Sequence, residues 1–89
     1  MNDEIDHVAA GWAALQAADW LEAKQHFDAA LQKADTPEAR DGLGLTLWWL
    51  NDIRRAHEQR TAAYIGYKKR REYRRAALLV RAANIIKPP

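Results

Sequence analysis

The chain has 89 residues, 48% of them hydrophobic, with fourteen Lys or Arg, twelve Asp or Glu and no cysteine. That describes one small domain and excludes a disordered polymer, a disulfide framework, a thiol nucleophile and a cysteine-ligated metal site. The start "MNDEIDHVAAGW" is acidic and lacks the basic-then-apolar form of a secretory signal. No apolar run approaches the roughly 18 to 20 residues of a membrane span, so a cytoplasmic location away from membranes is expected. The net charge of +2 hides an asymmetry. Residues 1–39 carry eight acidic side chains and two lysines, and residues 40–89 carry twelve Lys or Arg and four acids. The two halves therefore present opposite fields, which suit head-to-tail contacts or an acidic partner at the C-terminal end.

Alanine dominates the apolar content and β-branched residues are few, so helices are expected throughout. The first runs over residues 3–18, with Ile5, Val8, Trp12 and Leu15 spaced for one face. Asp19 caps the second, whose buried stripe is Ala23, Phe27, Ala30 and Leu31. "DTPEAR" restarts the chain, with Thr36 as cap, Pro37 in the first turn and Glu38 near the positive helix end. The third helix then carries Leu43, Leu47 and Leu50 in register. Asn51-Asp52 breaks it and caps a fourth, bearing Ile53, Ala56, Ala63, Tyr64 and Tyr67. A fifth covers residues 71–83 before Pro88 and Pro89 forbid more helix. No period-two run and no Asn-Gly or Asp-Gly pair suggests a strand.

A shift of 33 residues superimposes Gly11 on Gly44, Asp19 on Asp52, Ala23 on Ala56 and Ala30 on Ala63. A second shift carries Leu47 onto Val80, Asn51 onto Asn84 and Ile53 onto Ile86. A period of this length made of helix pairs predicts a solenoid. Small residues recur where helices approach closely, and Asp or Asn recurs where each pair turns.

The runs "GWAALQAADWLEAKQHFDAAL" and "LGLTLWWLNDIRRAHEQRTAAY" resemble the tetratricopeptide repeat, and "YRRAALLVRAANII" resembles a third first-helix of that family. The resemblance implies an all-α, right-handed helical-repeat solenoid. Its units would be two helix-turn-helix repeats, about 3–35 and 36–68, followed by a partial third repeat or capping helix at about 70–86. Arg60 stands where an aromatic like Phe27 is usual, which implies a thinner core in the second unit. The proline that often ends a unit is missing before the basic run. The stretch "TPEARDGLGLTLWWLNDIRRAHEQRTAAY" is also similar to the helical repeat region of large bacterial transcription regulators of the LuxR/MalT type. That implies a fragment or a stand-alone relative of such a regulator.

Repeats of the tetratricopeptide family bind extended peptides or partner helices in the concave groove lined by each unit's first helix. The resemblance assigns Ile5, Val8, Trp12, Leu15 and Gln16 to the groove from the first unit. Glu38, Asp41, Leu45, Trp48 and Trp49 come from the second, and Arg71, Arg74, Leu78, Arg81 and Ala82 from the third. Adjacent helical residues point about 100° apart, so Trp48 and Trp49 are not expected to share one core seam. They are expected to floor the groove beside Trp12, since rigid aromatics and arginines dominate interface hot spots. The alternative is that these rings fill the narrow concave side structurally. A protein or peptide with an acidic segment would suit the basic far end.

Two other contacts are open to the chain. The uncovered last helix, through Leu79, Val80, Ile85 and Ile86, could pair two copies as a homodimer. The run "YKKRREYRR" offers Lys68, Lys69, Arg70, Arg71, Arg74 and Arg75 to nucleic acid or another anion, with Tyr67 and Tyr73 to stack. No nucleic-acid motif frames that run, and a solvated helix junction is the favoured reading. Enzymatic chemistry has no constellation: serine is absent and the three threonines lack a base partner. "GLG" lies inside a helix rather than in a phosphate-cradling loop. His7, His26 and His57 fall in three different helices, with His26 and His57 the nearest pair by repeat logic. No metal or cofactor is expected.

Overall fold

The computed structural model describes residues 5–83, with side chains through Val80. The expected positions of Asp3, Ile85 and Ile86, and the side chains of Arg81 and Ala82, lie outside the described residues. Five helices follow one another: α1 His7–Gln16, α2 Trp20–Lys33, α3 Pro37–Trp49, α4 Ile53–Lys69 and α5 Tyr73–Ala83. The described residues contain no strand. No helix among them is long and apolar enough to cross a membrane.

The helix starts follow side-chain capping. Asp6, Asp19, Thr36 and Asp52 accept the backbone N–H three residues on, at 3.1, 3.2, 3.3 and 3.4 Å. Asp6 is the cap that the periodicity alone did not reveal. It starts α1 at His7 rather than near residue 3 and leaves Ile5 outside the helix, exposed.

Three of the four connections share one turn. Ala18, Asn51 and Arg71 adopt φ of 59°, 68° and 61° immediately after the helix cap. Their N–H groups donate to Leu15, Trp48 and Lys68, and the following N–H groups donate to Ala14, Leu47 and Tyr67. This pair of bonds satisfies carbonyls that the helix end would otherwise strand. The link from α2 to α3 differs, because Ala34 is extended and Thr36-Pro37 restarts the chain. No such stop follows α4, which runs 17 residues against 14 for α2. The α4–α5 link is thus built like those within each helix pair, not like the one between pairs.

Short links make neighbours antiparallel, and the helices pack in series, α1 on α2, α2 on α3, α3 on α4 and α4 on α5, with α1 also touching α3. The first core centres on Phe27, which is fully buried among Ala14, Leu15, Ala23, Leu43, Leu47 and Ala56. Gly11 of α1 and Gly42 of α3 both meet its ring. A Cβ would lie 2.7 Å from it at Gly11 and 2.2 Å at Gly42, so only glycine admits both helices. The second core is smaller, with Ala63, Tyr67, Ala76 and Leu79 joining α4 to α5. The one buried polar residue in the described core, Thr46, returns its hydroxyl to the Gly42 carbonyl at 2.8 Å.

Candidate functional site

Arg60 falls 33 residues after Phe27 and occupies the matching place in the second helix pair. Its stem crosses Gly44 as the Phe27 ring meets Gly11; a Cβ on Gly44 would come within 2.4 Å of the Arg60 Cγ. Here the likeness stops. A guanidinium needs acceptors where a benzyl ring needs none. The Arg60 Nη2 donates to the Leu79 carbonyl at 3.5 Å, and its buried Nε has no acceptor among the described residues.

Around that guanidinium the chain leaves a cleft of about 280 Å³, lined by Asp41 and Leu45 of α3, Arg60 and Tyr67 of α4, and Arg75, Leu78 and Leu79 of α5. Asp41, Gly44 and Leu45 are three and four residues apart, which places them on one side of α3. Burial pushes the Asp41 carboxyl above its usual range, while the Arg60 charge and the Tyr67 hydroxyl pull the other way. Burial likewise pushes the Tyr67 phenol up to about 12, reinforced by the charges of Asp41 and Glu38. The cleft thus combines leucine walls with a donor and an acceptor held in a partly dehydrated place. Such a mix orients a ligand while burying its apolar part.

Ion pairs fix the mouth. Glu38 at the start of α3 accepts two bonds from Arg70, at 2.8 and 2.7 Å, and one from Arg75 at 2.9 Å. Glu72 also pairs with both arginines. Both guanidinium groups lie over the Tyr67 ring, at 5.9 and 5.8 Å from its centroid. The Arg70 bonds hold the Glu38 carboxyl below its usual range against some burial. Two of the six basic residues in the run are therefore engaged in joining α3, α4 and α5. Lys68 lies over the Tyr64 ring at 5.3 Å, and Lys69, Arg71 and Arg74 are exposed.

The groove residues assigned by resemblance divide among several places. Asp41, Leu45 and Leu78 meet in the cleft, and Glu38 stands at its mouth. Leu15 is 8% exposed and belongs to the Phe27 core. Gln16 is exposed at the end of α1, and Ile5 is exposed before it begins. Trp12 sets its ring edge against Phe27 at 5.6 Å. Trp49 stacks flat on Trp20 at 4.9 Å, and Trp48 meets Trp49 edge-on at 5.0 Å. The tryptophan pair thus joins the end of α3 to the start of α2, a structural bond that sequence spacing did not indicate. Sequence reasoning missed Arg60, Tyr67 and Trp20 as members of these sites. For Arg60 the signal was present, as a charged residue at a repeat position that asks for an aromatic.

The histidines also pair differently from the repeat logic. His7 and His26 bring their Nδ1 atoms to 3.0 Å with rings tilted by 36°. His57 is exposed on α4. The described residues contain no group of three or more His, Cys, Asp or Glu placed to hold a metal ion. No protein-family model, curated protein or solved structure matches the chain.

Proposed function

We propose that this chain is a protein–protein interaction module, a binding protein rather than an enzyme. It captures a peptide or partner helix in the cleft between α3, α4 and α5. The partner places an apolar side chain between Leu45 and Leu78 and presents an oxygen acceptor to Arg60. The observation that carries this reading is Arg60 itself. A guanidinium whose buried Nε has no acceptor among the described residues, placed where the first helix pair puts a phenyl ring, costs the fold stability and can take the missing bond from a ligand oxygen.

The wider reading is a right-handed, tetratricopeptide-like solenoid of two helix pairs with α5 as its cap, serving as a scaffold or regulatory element. Its support is the shared turn at Ala18 and Asn51, the Gly11–Gly44 correspondence, and serial packing of the helices. The last turn, at Arg71, departs from a simple continuation and makes α5 a helix folded back on α4.

The test is selection of peptides from a display library against the folded protein, followed by titration of the isotope-labelled protein with a selected peptide. Amide shifts clustered at Asp41, Leu45, Arg60, Leu78 and Leu79 are expected. Shifts confined to other surfaces would refute the assignment.

A further inference from the structure

We propose that the part of the partner held in the cleft is a free peptide N-terminus with an apolar first residue, its ammonium on Asp41 and its carbonyl oxygen on Arg60. This rests on the cleft between α3, α4 and α5 being the capture site proposed above. One carboxylate and one guanidinium line its interior, Asp41 from α3 and Arg60 from α4. Asp41 feels the Arg60 charge, yet neither group makes an ion pair within 4.0 Å among the described residues. Each is tethered elsewhere. The Arg60 Nη2 donates to the Leu79 carbonyl of α5 at 3.5 Å, and Asp41 accepts from the Tyr67 hydroxyl. The buried Arg60 Nε has no acceptor among the described residues. The charges at the mouth are engaged with one another, Arg70 and Arg75 with Glu38 and Glu72. Opposite charges left apart in one partly dehydrated cleft are matched by a ligand that carries the complement of both, a cation beside an acceptor oxygen.

Size and wall chemistry narrow the ligand further. A volume of about 280 Å³ falls short of the roughly 300–1,000 Å³ that encloses a drug-sized molecule, so the cleft takes a single residue rather than a helix. Leu45, Leu78 and the buried Leu79 supply its apolar wall. An N-terminal residue gathers all three complements around one Cα: an ammonium, a carbonyl oxygen and an apolar side chain. At neutral pH that amine is mostly protonated, its ordinary pKa being about 7.7–8.0. Its charge offsets the burial that otherwise pushes the Asp41 carboxyl up. An internal segment would instead need a lysine beside an apolar residue, and its backbone would have to leave the cleft at both ends. A C-terminal residue brings a carboxylate, which Asp41 repels.

Titration of the isotope-labelled whole chain with synthetic peptides tests it. The probes are Leu-Ala-Gln-Ala amide with a free N-terminus, the same peptide acetylated, and a version whose first residue is glutamate. The free leucyl peptide should shift the Arg60 side-chain Nε–H resonance and the amides of Leu45 and Leu78. Acetylation should weaken binding at least about tenfold, because it removes the charge that faces Asp41, and the glutamyl peptide should lose a similar factor. Asp41→Asn keeps the side-chain shape, and a thermal melt establishes that it is folded. In that variant free and acetylated peptides should bind alike. Equal affinity of the native chain for the two forms overturns the proposal, as does a preference for the free amine that survives in Asp41→Asn. Free L-leucine binding more tightly than the peptide overturns it too, in favour of a small-molecule site. A library-selected peptide that binds the cleft and keeps its affinity when acetylated removes this inference and leaves the cleft reading standing. Peptides that leave the cleft resonances unmoved remove both.

Discussion

Single residues hold conformations or contacts that their neighbours impose, and these make the sharpest predictions. Ala18 and Arg71 sit at φ of 59° and 61°, a region where a Cβ crowds the following carbonyl. Asn51 tolerates the same turn better because its short polar side chain suits it. Ala18→Gly and Arg71→Gly should each raise stability by roughly 0.5–1 kcal/mol, read as a higher denaturant midpoint. Gly42 is the opposite case. A methyl there would press into the Phe27 ring, itself closed in by α1, so Gly42→Ala should cost about 1–3 kcal/mol in the same measurement. An exposed helical glycine would instead gain from the change, which makes the sign itself diagnostic.

At the scale of helices, the sequence was legible wherever a local rule decided the outcome. Asp19, Thr36-Pro37 and Asp52 marked three of the helix starts, and Ala23, Phe27, Ala30, Leu43, Leu47, Ala56 and Ala63 read as core from their spacing. What could not be read was which helix faces which. Leu15 and Trp12 share a stripe, yet one is buried in the core and the other lies edge-on to Phe27. The spacing of Trp48 and Trp49 sets them about 100° apart around α3, but it did not indicate that their rings would meet edge-on or that Trp20 would arrive from α2 to stack on Trp49. That stack predicts a coupling: in a double-mutant cycle, Trp20→Ala and Trp49→Ala should be less than additive in stability, by about 0.5–1.5 kcal/mol. Additive losses would show that the rings act independently. Asp41, Leu45 and Leu78, assigned to one groove by the tetratricopeptide resemblance, line one cleft. Arg60 and Tyr67 reach it from α4, where register alone assigns them to the interior.

For the molecule as a whole, charge couples the helices at one end and makes stability depend on pH. The Arg70 bonds hold the Glu38 carboxyl below the ordinary 4.5 of a glutamate, and the Arg40 bonds hold Asp35 below the ordinary 3.8 of an aspartate. Each group binds fewer protons folded than unfolded across the interval between its two values. Their contribution is complete above those ordinary values and disappears as pH falls through the folded ones. Asp41 has the reverse sign: burial raises its folded value, so stability falls as pH rises from 3.8 through that value. Glu38→Gln should therefore flatten the acid limb of melting temperature against pH. Asp41→Asn should raise melting temperature near neutrality and change it little in acid. An acid limb as steep in Glu38→Gln as in the native chain would remove the Glu38 ion pairs from the energetics.

The same whole-molecule view sets fold against function at Arg60. Replacing its guanidinium with an apolar side chain removes a buried donor that has no acceptor among the described residues, together with the Nη2 bond to the Leu79 carbonyl and the charge that offsets the burial of Asp41. If Arg60 serves the cleft, replacing it must weaken binding by more than any loss of stability accounts for. The decisive measurement is a paired one on Arg60→Leu: the urea midpoint, and calorimetric titration with a cleft-selected peptide. At least about tenfold weaker binding, or roughly 1.4 kcal/mol, by a chain still fully folded at the titration temperature is the expected result. Unchanged affinity, or a loss of stability that accounts for the loss of binding, would contradict the cleft as the functional site.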